Sequence, residues 1–169
     1  MKLKIFIIMI FVSLMLFACK NVVSPKEHFG EIYSIALDSI MEKDETLNSD
    51  MEFVAIDLSN LNGLSEKDKK EIVNFFKGEY KVEIMDATFD ELKEKGYYNP
   101  DTLALDGVLL SIEKVDIKVD IKVDIKFNNN IFFESSKYRS GKGAISVEST
   151  VHHKDRNWRI KKSKETWIS

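Results

Sequence analysis

The feature that most constrains the fold is a four-residue word, VDIK, written three times from Val115 to Lys126. Valine or isoleucine fills every second position, and aspartate or lysine fills the positions between. Successive side chains of a strand point to opposite faces of the sheet, so the pattern predicts a strand with one β-branched face and one charged face. Such a strand is typical of a half-buried antiparallel sheet.

The repeat does not specify its own pairing register. A slip of one residue moves every apolar side chain to the wrong face, but a slip of four residues replaces each word with an identical one. We therefore expect the flanking turns to fix the register. We interpret the repeat as a tandem duplication that lengthened an ordinary strand; the alternative is an exposed edge that recruits a strand from another protein.

The period of two covers most of the C-terminal half. Alternation runs from Ala104 to Phe127 for most of its length. Three further strands are predicted, at Ile131 to Tyr138, Ala144 to His152 and Trp158 to Ser169. Asn128-Asn129-Asn130 and Lys154 to Asn157 are predicted turns between them. We therefore expect an antiparallel meander in this half.

The N-terminal half begins with a helical period. From Glu27 to about Lys43, the apolar residues fall on one helical face: Phe29, Ile32, Tyr33, Ala36, Ile40 and Met41. A buried strand is predicted at Phe53 to Ile56, and a second one at Lys81 to Met85. The period therefore indicates one helix followed by two short strands in this half.

Two further helices are predicted by their capping residues. Ser65 precedes Asp68 by three residues, and Thr88 precedes Glu91 by three, which is the spacing of a capping box. Gly78 and Gly96 are the expected ends of these helices. Strand, helix, strand and helix make a βαβα unit with parallel strands. The whole domain is therefore expected to be α+β: an N-terminal helix and βαβα unit followed by an antiparallel meander.

The N-terminus carries an export signal. Lys2 and Lys4 precede an apolar run from Ile5 to Phe17, which ends in Leu16-Phe17-Ala18-Cys19. The run is shorter than the roughly 20 apolar residues of a membrane-spanning helix. Cys19 is the only cysteine of the chain, so it cannot form an internal disulfide.

This segment resembles the lipobox of bacterial lipoprotein signal peptides. The resemblance implies that residues 1–18 are removed and that Cys19 receives a diacylglycerol and an acyl chain such as palmitate. The chain would then be held on the extracytoplasmic face of the cell membrane by this lipid. Residues 19–26 would form a tether and residues 27–169 the folded domain. The end of the chain, Trp158 to Lys162 and Glu165 to Ser169, is similar to the closing strands of small uncharacterised Gram-positive lipoproteins.

Candidate ligand-binding residues follow the two predicted parallel strands. Asp57, Ser59 and Asn60 come after the first, and Asp86 and Thr88 come after the second. Ligands bind at the carboxyl ends of the strands in open α/β sheets, and two acids there could hold a hard cation. The alternative is that these residues only make turns and helix caps.

Composition and motifs favour a non-enzymatic role. The net charge of −3 becomes −5 when Lys2 and Lys4 are removed, which does not suit a nucleic-acid partner. The sequence contains no phosphate-binding glycine motif, nucleophile elbow or zinc-type cysteine and histidine spacing, so no cofactor or metal is predicted. We therefore expect a membrane-anchored binding or accessory domain, with a possible protein partner at the cell surface. The alternative is a lipid-tethered, metal-dependent hydrolase that uses Asp57 and Asp86.

Overall fold

The computed structural model describes residues 23–61, 63–120 and 128–168. Three helices lie in the N-terminal part: α1 (Phe29–Met41), α2 (Glu66–Glu79) and α3 (Phe89–Glu94). A 3-10 turn, Pro25–His28, leads into α1, and a second one, Glu45–Asn48, follows it. The strands of this part are β1 (Phe53–Asp57), β2 (Glu83–Asp86) and the short β3 (Tyr98–Asn99).

The helix starts follow from their capping residues. The Ser65 hydroxyl accepts from the backbone N–H of Asp68, whose carboxylate accepts from the backbone N–H of Ser65. Thr88 and Glu91 make the same reciprocal pair at the start of α3. Both predicted capping boxes are confirmed. Each satisfies backbone donors that would otherwise lack a partner in the first helical turn.

The C-terminal part consists of long antiparallel strands. These are β4 (Ala104–Asp120), β5 (Asn128–Ser140), β6 (Gly143–Lys154) and β7 (Asn157–Ile168). They belong to a seven-stranded sheet of order β2-β1-β4-β5-β6-β7, with β3 paired to β4. β1 is parallel to both β2 and β4, and the pairs from β4 to β7 are antiparallel. The predicted α+β class, parallel first strands and antiparallel meander are confirmed.

The sheet separates two hydrophobic cores. We call the face that packs on α1 and α2 the inner face; its core includes Ile56, Leu110, Phe133 and Val147. The opposite, outer face has a smaller core under α3, formed by Phe53, Ala55, Ala87, Leu92, Leu105 and Leu109. β1 contributes to both cores, which explains why its sequence is an apolar run rather than an alternating one.

A β-bulge in β4 changes which residues point to the inner face, from even-numbered positions before the bulge to an odd-numbered position after it. Before the bulge, Leu110 and Ile112 point to the main core at even-numbered positions. Ile112 pairs with Ser135 and Lys114 pairs with Glu134, so Glu113 is the extra residue. After it, Val115 of the first VDIK word packs against the same core from an odd-numbered position. The bulge therefore places Val115, the first residue of the repeat, on the inner side.

Three details differ from the sequence-based predictions. Asn128-Asn129-Asn130 are not a turn: they begin β5 and pair with β4 through Asp120 and Asn128. Gly78 does not end α2, which continues to Glu79 and is followed by extended backbone at Tyr80. Val23 packs partly buried against the main core, so contacts with the domain begin before residue 27. Residues 121–126 of the repeat lie outside the described residues.

Candidate functional site

The candidate residues after β1 form a turn. The Asp57 carboxylate accepts from the backbone N–H of Ser59 at 3.0 Å and from its hydroxyl at 2.5 Å. A short polar side chain that accepts from the backbone two residues later stabilises a turn of this kind. Ser59 and Asn60 are exposed at its tip. The contacts of Asp57 and Ser59 are therefore local.

The candidate residues after β2 hold the neighbouring segments together. Asp86 pairs with Ile56 at the carboxyl end of β1, so the structure brings Asp57 and Asp86 to the same end of the parallel strands. One Asp86 oxygen accepts from the backbone N–H of Leu58 at 3.2 Å, which ties the two strand ends together. Thr88 caps α3. Each of these polar side chains except Asn60 thus has a hydrogen-bonding role in the fold.

Other features of the sequence interpretation fall outside this region. Cys19 and the signal segment lie outside the described residues. Among the residues that are described, no helix combines the length and the apolar character needed to cross a membrane. The described part of the chain also contains no group of three or more histidine, cysteine, aspartate or glutamate side chains placed to hold a metal ion.

The structure reveals a second candidate region on the outer face of the antiparallel strands. α3 covers the outer face near Leu109 and Tyr138 through Phe89 and Leu92. Further along the same strands, no described helix packs on this face. Polar side chains line it instead. A depression of about 320 Å³ lies here, which we call the outer-face depression.

Two rows of side chains across the four strands form the outer-face depression. Directly paired residues of neighbouring strands point to the same face of a sheet, so each row follows from the register. The first row, from β4 to β7, is Lys114, Glu134, Glu148 and Lys164. The second row is Asp116, Phe132, Thr150 and Lys162. All eight residues line the depression, and their three lysines and three acids give no net charge.

The first row places two carboxylates side by side. Glu134 and Glu148 pair directly across β5 and β6, and like charges in this position repel each other. A lysine lies on the far side of each, yet in the described part of the chain neither carboxylate has an ion-pair partner within 4.0 Å or a hydrogen bond. These acids therefore differ from Asp57 and Asp86, which accept from the backbone.

The second row contains an aromatic ring and the hydroxyl of a largely buried threonine. Phe132 occupies an outward position between inward-facing Ile131 and Phe133, and 38% of it is exposed. Thr150, beside it on β6, is 8% exposed and has no hydrogen-bond partner among the described residues. The row thus offers a stacking surface and an unused polar group.

Sequence reasoning did not find the outer-face depression. One local signal was present: Phe132 and Glu134 occupy the outward phase of β5, where an aromatic residue is unusual on a solvated face. The adjacency of Glu134 and Glu148 could not be read from the sequence. It depends on the pairing of strands, and the two residues are joined through a hairpin at positions 141–142.

A buried lysine on the inner face has a different role. Lys137 is fully buried, and its ammonium donates to Asn48 Oδ1 at 2.9 Å and to the carbonyl oxygens of Lys43 and Asp44. Burial lowers the pKa of Lys137 to about 8, although the carboxylates of Asp44, Glu45 and Glu165 favour the charged form. Its three donors are all used, so Lys137 anchors the loop after α1 to the sheet.

Arg139 reinforces this anchor. Its guanidinium donates to the carbonyl oxygens of Leu47 and Ser49, on the same loop. The basic side chains of β5 near the α1–β1 loop therefore satisfy backbone carbonyls.

Comparison of the chain with known protein families, with curated proteins and with solved structures finds no match.

Proposed function

We propose that the protein is a membrane-anchored extracytoplasmic lipoprotein whose domain acts as a non-enzymatic binding or accessory module. The anchor is a diacylglycerol on Cys19, and the binding surface is the outer face of the antiparallel strands. The assignment of the binding surface rests on the contrast between the two faces of the sheet. The inner face is covered by α1 and α2, whereas the outer face around Phe132 holds a depression in which Glu134 and Glu148 have no ion-pair partner among the described residues.

The fold supports this assignment because the depression rests on rigid elements. Its side chains come from four long, neighbouring strands rather than from loops. The outer residues of these strands contribute little to the main core, which lies on the other face. The outer face can therefore carry a ligand-specific set of side chains without loss of stability. Small ligand sites commonly have volumes from about 300 Å³ upward.

The alternative is a metal-dependent hydrolase that uses Asp57 and Asp86. Both acids lie at the carboxyl ends of the parallel strands, as that function requires. Their oxygens, however, accept from the backbone N–H groups of Ser59 and Leu58. Turn formation and strand connection thus account for both carboxylates. We favour the binding module because Glu134 and Glu148 of the outer face have no comparable hydrogen bonds among the described residues.

Two experiments test the proposal. The first expresses the full chain in a bacterium that processes lipoproteins and compares wild type with Cys19→Ser by fractionation and mass spectrometry. We expect a lipid-modified Cys19 in the membrane fraction, and loss of membrane retention in the variant. Unmodified Cys19, or a chain that keeps Met1, would refute the anchor.

The second experiment measures thermal unfolding of the lipidated protein in detergent against amino acids, peptides, sugars, nucleotides, Mg²⁺ and Ca²⁺. A ligand that binds only the folded state raises the melting temperature. We expect at least one of these ligands to raise the melting temperature of the wild type. The rise should be lost in Phe132→Ala and kept in a combined Asp57→Asn and Asp86→Asn variant. A divalent-cation effect that disappears in the latter variant would instead support the hydrolase.

A further inference from the structure

We propose that the outer-face depression binds a short zwitterionic peptide, with the peptide ammonium at Glu134 and Glu148 and the peptide carboxylate at Lys162 and Lys164. This inference rests on the proposed binding function and specifies its ligand class. It follows from where charges of each sign lie across the strands.

The ammonium subsite is the pair of carboxylates on β5 and β6. Cβ atoms of directly paired residues are about 4.5–5.5 Å apart, so a single ammonium can lie between the Glu134 and Glu148 carboxylates. A cation there would relieve the repulsion between them. Charge-assisted hydrogen bonds of this type are among the stronger ones in proteins. Neither carboxylate has a partner in the described chain that would have to be displaced.

The carboxylate subsite is on β7. Lys164 pairs with Glu148 and Lys162 pairs with Thr150, so both ammonium groups lie along one side of the depression. The ammonium position between β5 and β6 is about one and a half strand spacings from β7, which is about 7 Å. An extended chain covers about 3.3–3.6 Å per residue, so a peptide of two residues spans this distance, and the long lysine side chains can also reach the carboxylate of a three-residue peptide.

The middle of the depression suits the body of such a peptide. The Phe132 ring provides an apolar surface for one side chain of the ligand. Thr150 provides a hydroxyl, otherwise without a partner, for a peptide amide or carbonyl group. A ligand with charges at both ends and an apolar, hydrogen-bonding middle matches all three features. An inorganic ion would use only one of them.

The test is calorimetric titration of the lipidated full chain in detergent with alanyl-phenylalanine and alanyl-alanyl-phenylalanine. Each peptide is also used in N-acetylated and in C-amidated form. We expect binding of the free peptides and a loss of about tenfold or more on blocking either end, since each block removes a charge-assisted contact.

Matched variants assign each end to its subsite. In a combined Glu134→Gln and Glu148→Gln variant, the free and N-acetylated peptides should bind equally weakly, while the effect of amidation persists. In a combined Lys162→Gln and Lys164→Gln variant, the effect of amidation should disappear instead. Glu66→Gln and Lys77→Gln on α2, far along the chain from the depression, serve as controls that keep both effects. Unfolding curves establish that each variant remains folded.

The outcomes separate this inference from the function on which it rests. Equal binding of free and amidated peptides would identify an organic-cation site and overturn the zwitterion assignment. No peptide binding, together with another ligand whose effect depends on Phe132, would overturn the ligand class and leave the binding function intact. If no ligand effect depends on Phe132, both proposals fail.

Discussion

β1 is packed on both faces, whereas β5, β6 and β7 are packed mainly on one. This difference extends to the acids. In the parallel part, Asp57 and Asp86 accept from backbone N–H groups. On the outer face of the antiparallel part, Glu134 and Glu148 lie side by side with no such partner. Acids that serve the backbone are explained by the fold, and acids without partners in a depression are better candidates for ligand binding.

The largest expected effect concerns the length of the repeat. Deletion of any one VDIK word yields the same sequence, in which Val still occupies position 115. Deletion of Val115 to Ile117 instead brings a lysine to that position, against the main core. Burying an unpaired charge costs several kcal/mol, which approaches the whole stability of about 5–15 kcal/mol.

Thermal unfolding followed by circular dichroism measures this difference. We expect the four-residue deletion to keep a cooperative transition and the three-residue deletion to lose it. Equal damage from both would mean that alternation after the bulge at Glu113 does not determine the packing of β4. It would also remove the basis for assigning an inner and an outer face to the repeat.

Identical substitutions in the covered and in the uncovered part of the outer face test their different packing. Phe53 is 1% exposed in the core under α3, whereas Phe132 is 38% exposed in the outer-face depression. Phe53→Ala should cost about 3–5 kcal/mol because it leaves a cavity. Phe132→Ala should cost less than about 1 kcal/mol, as expected for a partly solvated residue. Urea denaturation gives both values, and similar costs would mean that Phe132 is a core residue.

Local signals allowed much of the fold to be predicted from sequence. Ser65 and Thr88 find their partners three residues away, so both helix starts were evident from the sequence alone. The long antiparallel strands were evident from alternation. The bulge at Glu113 was not, because two patterns of opposite phase meet there without an irregular residue type. The asparagines at 128–130 resemble a turn by composition, but pairing with β4 decides their conformation.

The candidate site was less accessible to sequence reasoning. Asp57 and Asp86 attracted attention because they follow strands, and the structure does bring those strand ends together. The depression depends on a row that runs perpendicular to the chain, from Lys114 on β4 to Lys164 on β7. Such a row exists only once the three pairing registers between these strands are fixed. Composition along any single strand gives little sign of it.

The buried lysine of the inner face should make the stability of the protein depend on pH. The pKa of buried Lys137 is about 8, below its usual value of 10.5, so the unfolded chain binds more protons between these values. Stability from this group therefore rises as pH increases from about 8 to 10.5, by at most about 1.4 kcal/mol per pH unit. Below pH 8 the group is charged in both states and contributes no pH dependence.

Unfolding free energies of wild type and Lys137→Met over this pH range isolate the effect. We expect the unfolding free energy of the wild type to rise relative to that of Lys137→Met as pH increases. A flat difference for Lys137→Met would mean that its ammonium is not buried with the three oxygens of the α1–β1 loop.

The smallest expected effects compare the acids themselves. Asp86→Ala removes the oxygen that accepts from the Leu58 N–H, so it should cost about 1 kcal/mol. Asp86→Asn retains an acceptor oxygen and should cost less. Glu148→Ala removes a side chain without a hydrogen-bond partner and should change stability by no more than about 0.5 kcal/mol. Denaturant midpoints measured under one buffer resolve these differences. If Glu148→Ala is as costly as Asp86→Ala, the outer carboxylate has a structural partner after all, and the contrast between fold-serving and unpartnered acids does not hold.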